Sequence, residues 1–176
     1  MLTMMKNKLT VLIALMLFSL GLSAQTNRPE MGVSADYDVL GSTTLSFRAG
    51  GERIYGTLGV GFNRHLPKEE TMVWKAGIGA HIGHGAFFNT NIELKAAYFS
   101  TFNGIDTQQY SLSLLPGLKL TDRWELFFGP DIGYAQTSLI NNKVLLDKGL
   151  TLWEDKNSSR LKHLYIGFQV GLYYRF

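Results

Sequence analysis

The sequence has no cysteine among its 176 residues, which excludes disulfides, thiolate metal sites and a lipid-modified cysteine anchor. Charge of one sign is also lacking. Seventeen Lys and Arg face fourteen Asp and Glu. Two of the bases, Lys6 and Lys8, lie in the leader described below, so fifteen remain against fourteen acids, and no basic face for nucleic acid is implied. No apolar run reaches the roughly 20 residues that a helix needs to cross a bilayer. Helical periodicity is hard to find anywhere after residue 24.

What is present begins with a leader. Lys6 and Lys8 form a basic region, LTVLIALMLFSLGL at 9–22 an apolar core, and Leu22-Ser23-Ala24 a small-residue cleavage site. We expect residues 1–24 to be a signal peptide and residues 25–176 to be one domain, with no repeat or linker to divide it.

Alternation with a period of two runs through that domain. In HLYIGFQVGLYYRF, the even positions 164–176 are all apolar, and the odd positions 163–175 are small, polar or aromatic. The same rule predicts seven earlier strands, at about 30–40, 43–50, 53–63, 72–83, 86–100, 107–120 and 123–137. The expected fold is all-β: an eight-stranded antiparallel up-and-down barrel.

The apolar faces of these strands contain no Asp, Glu, Lys, Arg or His, although 18% of the chain is charged. The charges sit on the opposite face: Arg48, Lys75, Lys95, Lys119 and Arg175 against Asp36, Asp38, Glu93, Glu125 and Asp131. A soluble ligand-binding barrel has the reverse pattern, apolar inside and polar outside. A membrane barrel needs this one, because a charge at the bilayer midplane costs about 2–4 kcal/mol. Aromatics on the apolar face keep to strand ends: Tyr37, Phe62, Trp74, Tyr98, Tyr110 and Tyr134 toward one end, and Phe88, Trp124, Tyr174 and Phe176 toward the other, as interfacial girdles do.

Lys75–Gly85 reads KAGIGAHIGHG, which imitates both a dinucleotide-binding glycine loop and an ATP-handling HIGH motif. A nucleotide fingerprint needs a strand-to-helix turn, and no helix follows here. We expect Gly77, Gly79, Gly83 and His81 to face the lumen, with Gly77 opposite Glu93 and Gly79 opposite Asn91, making room for larger groups and for Phe87 and Phe127. Period two places His81 and His84 on opposite faces, so a shared metal is not expected.

With a leader, eight strands, two girdles and a terminal YYRF, the chain resembles the small eight-stranded outer-membrane barrels of the OmpA and OmpX type, and most of all the barrel-domain proteins of Bacteroidota. The resemblance implies a monomeric multi-pass protein in the outer membrane of a Gram-negative bacterium, in contact with outer-membrane lipid. It also implies that Val170, Leu172, Tyr174 and Phe176 are the signal read by the barrel-assembly machinery. We expect no peptidoglycan-binding domain after the barrel, so that role of the OmpA type is not carried over.

An eight-stranded barrel is just wide enough for its side chains to fill it. The inward charges therefore predict a plugged, salt-bridged core, with Lys119 opposite Glu125 and Arg175 reaching Glu30; a narrow porin-like channel for small solutes or ions, lined by the same charges, is the alternative. His65, His81, His84 and His163 have no nucleophile beside them, so no catalytic, cofactor or metal site is expected, and a lipid A-modifying enzyme is a third reading. The loop at 138–162 is unusually apolar at Leu145, Leu146, Leu150, Leu152 and Trp153. We expect a short helix or hairpin on the rim, or else a surface for an extracellular protein, another surface ligand or outer-leaflet lipid.

Overall fold

The computed structural model describes residues 30–38, 41–51, 53–63, 71–101, 106–138, 150–157 and 160–176. These residues form strands and turns, with no helix among them. The strands are β1 (Glu30–Asp38), β2 (Ser42–Gly50), β3 (Ile54–Asn63), β4 (Thr71–His84), β5 (Phe88–Thr101), β6 (Asp106–Lys119), β7 (Trp124–Ser138), β8 (Leu150–Lys156) and β9 (Arg160–Arg175). All pairings are antiparallel, in the order β1-β2-β3-β4-β5-β6-β7-β9, and β1 pairs back onto β9 to close an eight-stranded barrel. The leader lies outside the described residues.

The connections are built from local hydrogen bonds. At one end of the barrel, here the short-turn end, Gly51 N–H donates to the Ile54 carbonyl (2.8 Å) and Gly85 N–H to that of Phe88 (2.7 Å). There too, the Thr121 hydroxyl accepts from the backbone N–H groups of Arg123 (3.2 Å) and Trp124 (3.0 Å). At the other end, Gly41 takes a φ of 80°, the left-handed region that glycine tolerates, and lets β1 turn into β2.

The register fixes the barrel's dimensions. From Asp36 the ladder runs through Thr44, Gly61, Val73, Phe99, Thr107 and Thr137 to Leu161, whereas across the closing seam Asp36 lies opposite Gly171. The offset between positions 161 and 171 is a shear of ten residues. With strands about 4.8 Å apart and a rise of about 3.3 Å per residue, eight strands and this shear give a tilt of roughly 40°. Such a barrel has a lumen that side chains can fill.

The faces are distributed as the alternation predicts. Leu45, Phe62, Trp74, Leu94, Tyr110, Phe128, Ile132 and Phe168 are exposed on the outside. Asp36, Asp38, Arg48, Lys75, Glu93, Lys95, Glu125 and Asp131 are buried inside. Outward aromatics meet across neighbouring strands, Trp74 against Tyr98 and Tyr110 against Tyr134. At the short-turn end Trp124 packs on Tyr174 (ring centroids 4.7 Å) and Tyr174 on Phe176 (5.9 Å).

The 138–162 segment differs from a simple loop. β7 extends to Ser138, β9 begins at Arg160, and the intervening β8 pairs with β9 from Leu150↔Ile166 to Lys156↔Leu161. The hairpin expected on the rim is thus present. Among the described residues β1 occupies this same edge of β9 from Gln169 to Arg175, and β8 continues the wall beyond it. A bulge at Leu152 resets the parity, leaving Leu150 and Trp153 opposite the outward residues Ile166 and Leu164. Leu145 and Leu146 lie outside the described residues.

Candidate functional site

The lumen is the chemically distinctive part of the molecule, and period two delivers its side chains from every wall. At mid-height the Arg48 guanidinium donates to Glu93 (2.9 Å) and lies over the Tyr55 ring at 4.1 Å and the Tyr173 ring at 4.4 Å. Glu93 also accepts from the Tyr55 hydroxyl (2.7 Å) and has Lys95 at 3.8 Å. A second cluster lies beside it, where Lys75 Nζ donates to Asp36 (2.8 Å) and the Thr44 hydroxyl (3.0 Å), with Asp38 at 3.5 Å. Lys95 donates to Gln169. Opposite charges held this way satisfy one another in an interior where a lone charge is strongly disfavoured.

Toward the short-turn end, two of the expected pairings part company. Arg175 does reach Glu30, at 3.3 Å. Lys119 stands opposite Glu125 in register, but its ammonium donates to the Gly85 carbonyl instead, at 2.8 Å. Glu125 accepts from Asn89 (2.6 Å) and Asn91 (3.5 Å), inward residues of β5 that already satisfy it. Asp131 is buried, and its Oδ1 has no hydrogen-bond partner.

Inward glycines and aromatics fit together in pairs. A Cβ at Gly79 would overlap the ring of Tyr55, one at Gly133 the ring of Tyr165, and one at Gly171 the ring of Phe127; each pair is directly opposed on neighbouring strands. This replaces the pairing expected for KAGIGAHIGHG. Gly79 lies opposite Glu93 and Gly77 opposite Lys95, two positions from the expected register, because the turn spans 85–87 and Ile82 forms a bulge. Phe87 is exposed in that turn rather than inside, and only Phe127 joins the interior, with Leu115 and Tyr173.

The same bulge overturns the expectation for the histidines. His81 pairs with Asn91 and His84 with Asn89, so both turn toward the lumen and their rings come to 5.2 Å, while Gly83 moves out beside Thr90. His81 Nδ1 meets Asn91 Oδ1 at 2.6 Å, and its Nε2 lies 3.4 Å from Glu30. Among the described residues no three His, Asp or Glu side chains converge to hold a metal ion.

Open space at mid-lumen, among the described residues, is small. The mid-lumen cavity bounded by Asp36, Arg48, Lys75, Glu93, Lys95 and Gln169 measures about 10 Å³, room for about one water. Larger cavities, about 200 and 300 Å³, lie at the short-turn end and share Lys119 and Arg175. The sequence reading missed Tyr55, Asn89, Asn91, Gln169 and Tyr173 as members of the network. Their inward parity was the available signal, but parity does not say which neutral groups will bond to a charge.

These features define a small, closed, antiparallel eight-stranded barrel with an apolar exterior and an ionic interior. No family model, curated protein or solved structure matches the chain.

Proposed function

We propose that the chain is a non-enzymatic integral outer-membrane β-barrel of the OmpA and OmpX type, exported through the leader at 1–24, with a role in envelope integrity or surface interaction. The observation that carries this reading is the pairing of an apolar outer belt with a mid-lumen cavity of only about 10 Å³. A belt of exposed Leu, Ile and Phe is disfavoured in water and favoured in lipid. A lumen closed by Arg48–Glu93 and Lys75–Asp36 supports a scaffold rather than a pore. In this reading the short turns face the periplasm, and the β8–β9 hairpin stands at the outer surface. Val170, Leu172 and Tyr174 on the outward face of β9, with Phe176 just after it, form the assembly signal.

Outer-membrane fractionation combined with a heat-modifiable gel shift tests the membrane assignment. A soluble protein that does not shift would overturn it. Planar-bilayer recording of the purified barrel tests the plug: the expected record is flat, and stable single-channel steps would favour the narrow-channel alternative. Lipid A compared by mass spectrometry between wild-type and deletion strains is expected to be unchanged, and an altered acylation pattern would favour the enzyme reading.

A further inference from the structure

We propose that the short-turn end carries a binding site for the phosphate of an anionic glycerophospholipid, in the cavity of about 200 Å³ between the 120–123 turn and the end of β9. The inference rests on the membrane reading above and names a lipid partner for it. Lys119, Thr121, Arg123, Trp124, Tyr173 and Arg175 line this cavity.

Its donors have capacity to spare. Lys119 uses one N–H on the Gly85 carbonyl, and an ammonium carries three. The Arg175 Nε–H is buried without a hydrogen-bond partner. Three cations, Lys119, Arg123 and Arg175, line the cavity against two acids: Glu125, whose oxygens are engaged by Asn89 and Asn91, and Asp122, exposed in the turn. The remaining N–H groups of Lys119, the exposed Arg123 and the Nε–H of Arg175, whose Nη2 meets Glu30 at 3.3 Å, match the oxygens of a phosphodiester, which guanidinium and ammonium groups bind through charge-assisted hydrogen bonds.

Position distinguishes a lipid phosphate from a dissolved one. Arg123 donates to the Tyr174 hydroxyl (3.3 Å), and Tyr174 stands in the outward cluster with Trp124 and Phe176. The cavity therefore adjoins the apolar belt at an aromatic girdle, the level at which headgroups lie. A phosphate held there leaves its acyl chains beside Trp124 and Leu126.

The test is native mass spectrometry of the full chain released from nanodiscs containing phosphatidylglycerol. Wild type is expected to retain phosphatidylglycerol, and Arg123→Gln combined with Lys119→Gln to retain about tenfold less. Arg53→Gln removes the same single charge as Arg123→Gln alone, from another exposed turn at the same end, and is expected to retain as much as wild type. Arg123→Gln alone, in an exposed turn, supplies the readout if the double variant fails to fold. Equal retention by wild type and the Arg123 variants overturns the site, as does displacement of the lipid by inorganic phosphate as readily as by added phosphatidylglycerol, which marks a free-anion site. The heat-modifiable band separates the two levels: a folded, inserted barrel without retained lipid refutes this inference alone, whereas failure of wild type to insert refutes the membrane reading and this site with it.

Discussion

Arg48 on β2 and Glu93 on β5 are 45 positions apart in the chain and meet at 2.9 Å near the centre of the barrel. Neither has water to fall back on, since both are almost fully buried. The rings of Tyr55 and Tyr173 add cation–π contacts to the guanidinium, which also bonds to the carboxylate. The pair joins strands that are not neighbours, so it ties the barrel across its lumen as well as around its wall.

Glu93→Gln is expected to destabilise the barrel by about 3–5 kcal/mol, because Arg48 and Lys95 then remain buried beside a neutral group. Glu125→Gln is expected to lower the heat-denaturation temperature less. Its partners are the neutral Asn89 and Asn91, and a glutamine oxygen still accepts from them. Urea unfolding of both variants in detergent measures the ranking; an equal loss would contradict the assignment of partners.

Leu94→Arg separates a bilayer from water as the barrel's surroundings. The side chain is 62% exposed on the outer face. In water such a substitution changes stability by about 0.5 kcal/mol or less. In a bilayer it is expected to cost about 2–4 kcal/mol if the residue lies near the midplane. Refolding equilibria in liposomes supply the number, and a neutral result there would count against lipid contact.

Gly79→Ala is expected to destabilise by about 1–3 kcal/mol, since its Cβ would occupy the space of the Tyr55 ring. In a Tyr55→Ala background the same change should lose most of its effect. A double-mutant cycle by chemical denaturation measures this coupling, and additive penalties would show that the ring is not the obstacle.

Trp153 on β8 lies opposite outward-facing Leu164 and is half exposed. If β8 prolongs the outward-facing wall and that wall meets lipid, its fluorescence should be quenched by brominated lipid in a Trp74→Phe, Trp124→Phe background. Quenching by aqueous acrylamide with none from the brominated lipid would place the hairpin in solvent, as a partner surface requires.

Much of this arrangement was legible in the sequence because a strand has only two faces. Once Leu94 is outward, Glu93 and Lys95 must be inward, and the parity extends along the whole strand without knowledge of its neighbours. The bulges at Ile82 and Leu152 break that inference locally. One extra residue put His84 on the lumen face and Trp153 on the outer one, and neither bulge has a sequence signal stronger than a nearby glycine or turn. Lys119 shows a second limit. Its register opposite Glu125 followed from the turn, but a long flexible side chain chose the Gly85 carbonyl, and only three-dimensional distances decide between such partners.

β8 also bears on the order in which the wall is completed. The seam joins Gly32 to Arg175 across nearly the whole domain, whereas β8 and β9 meet through a turn in which Asn157 and Arg160 bond to each other. Closing a short loop sacrifices far less chain entropy than closing a long one, so the hairpin has a kinetic head start over the seam. The last strand then arrives with Leu161–Ile166 of its free edge already occupied, and among the described residues the first strand matches the seven positions from Gln169 to Arg175. The hairpin thereby acts as a built-in template, narrowing the sliding errors open to the final closure.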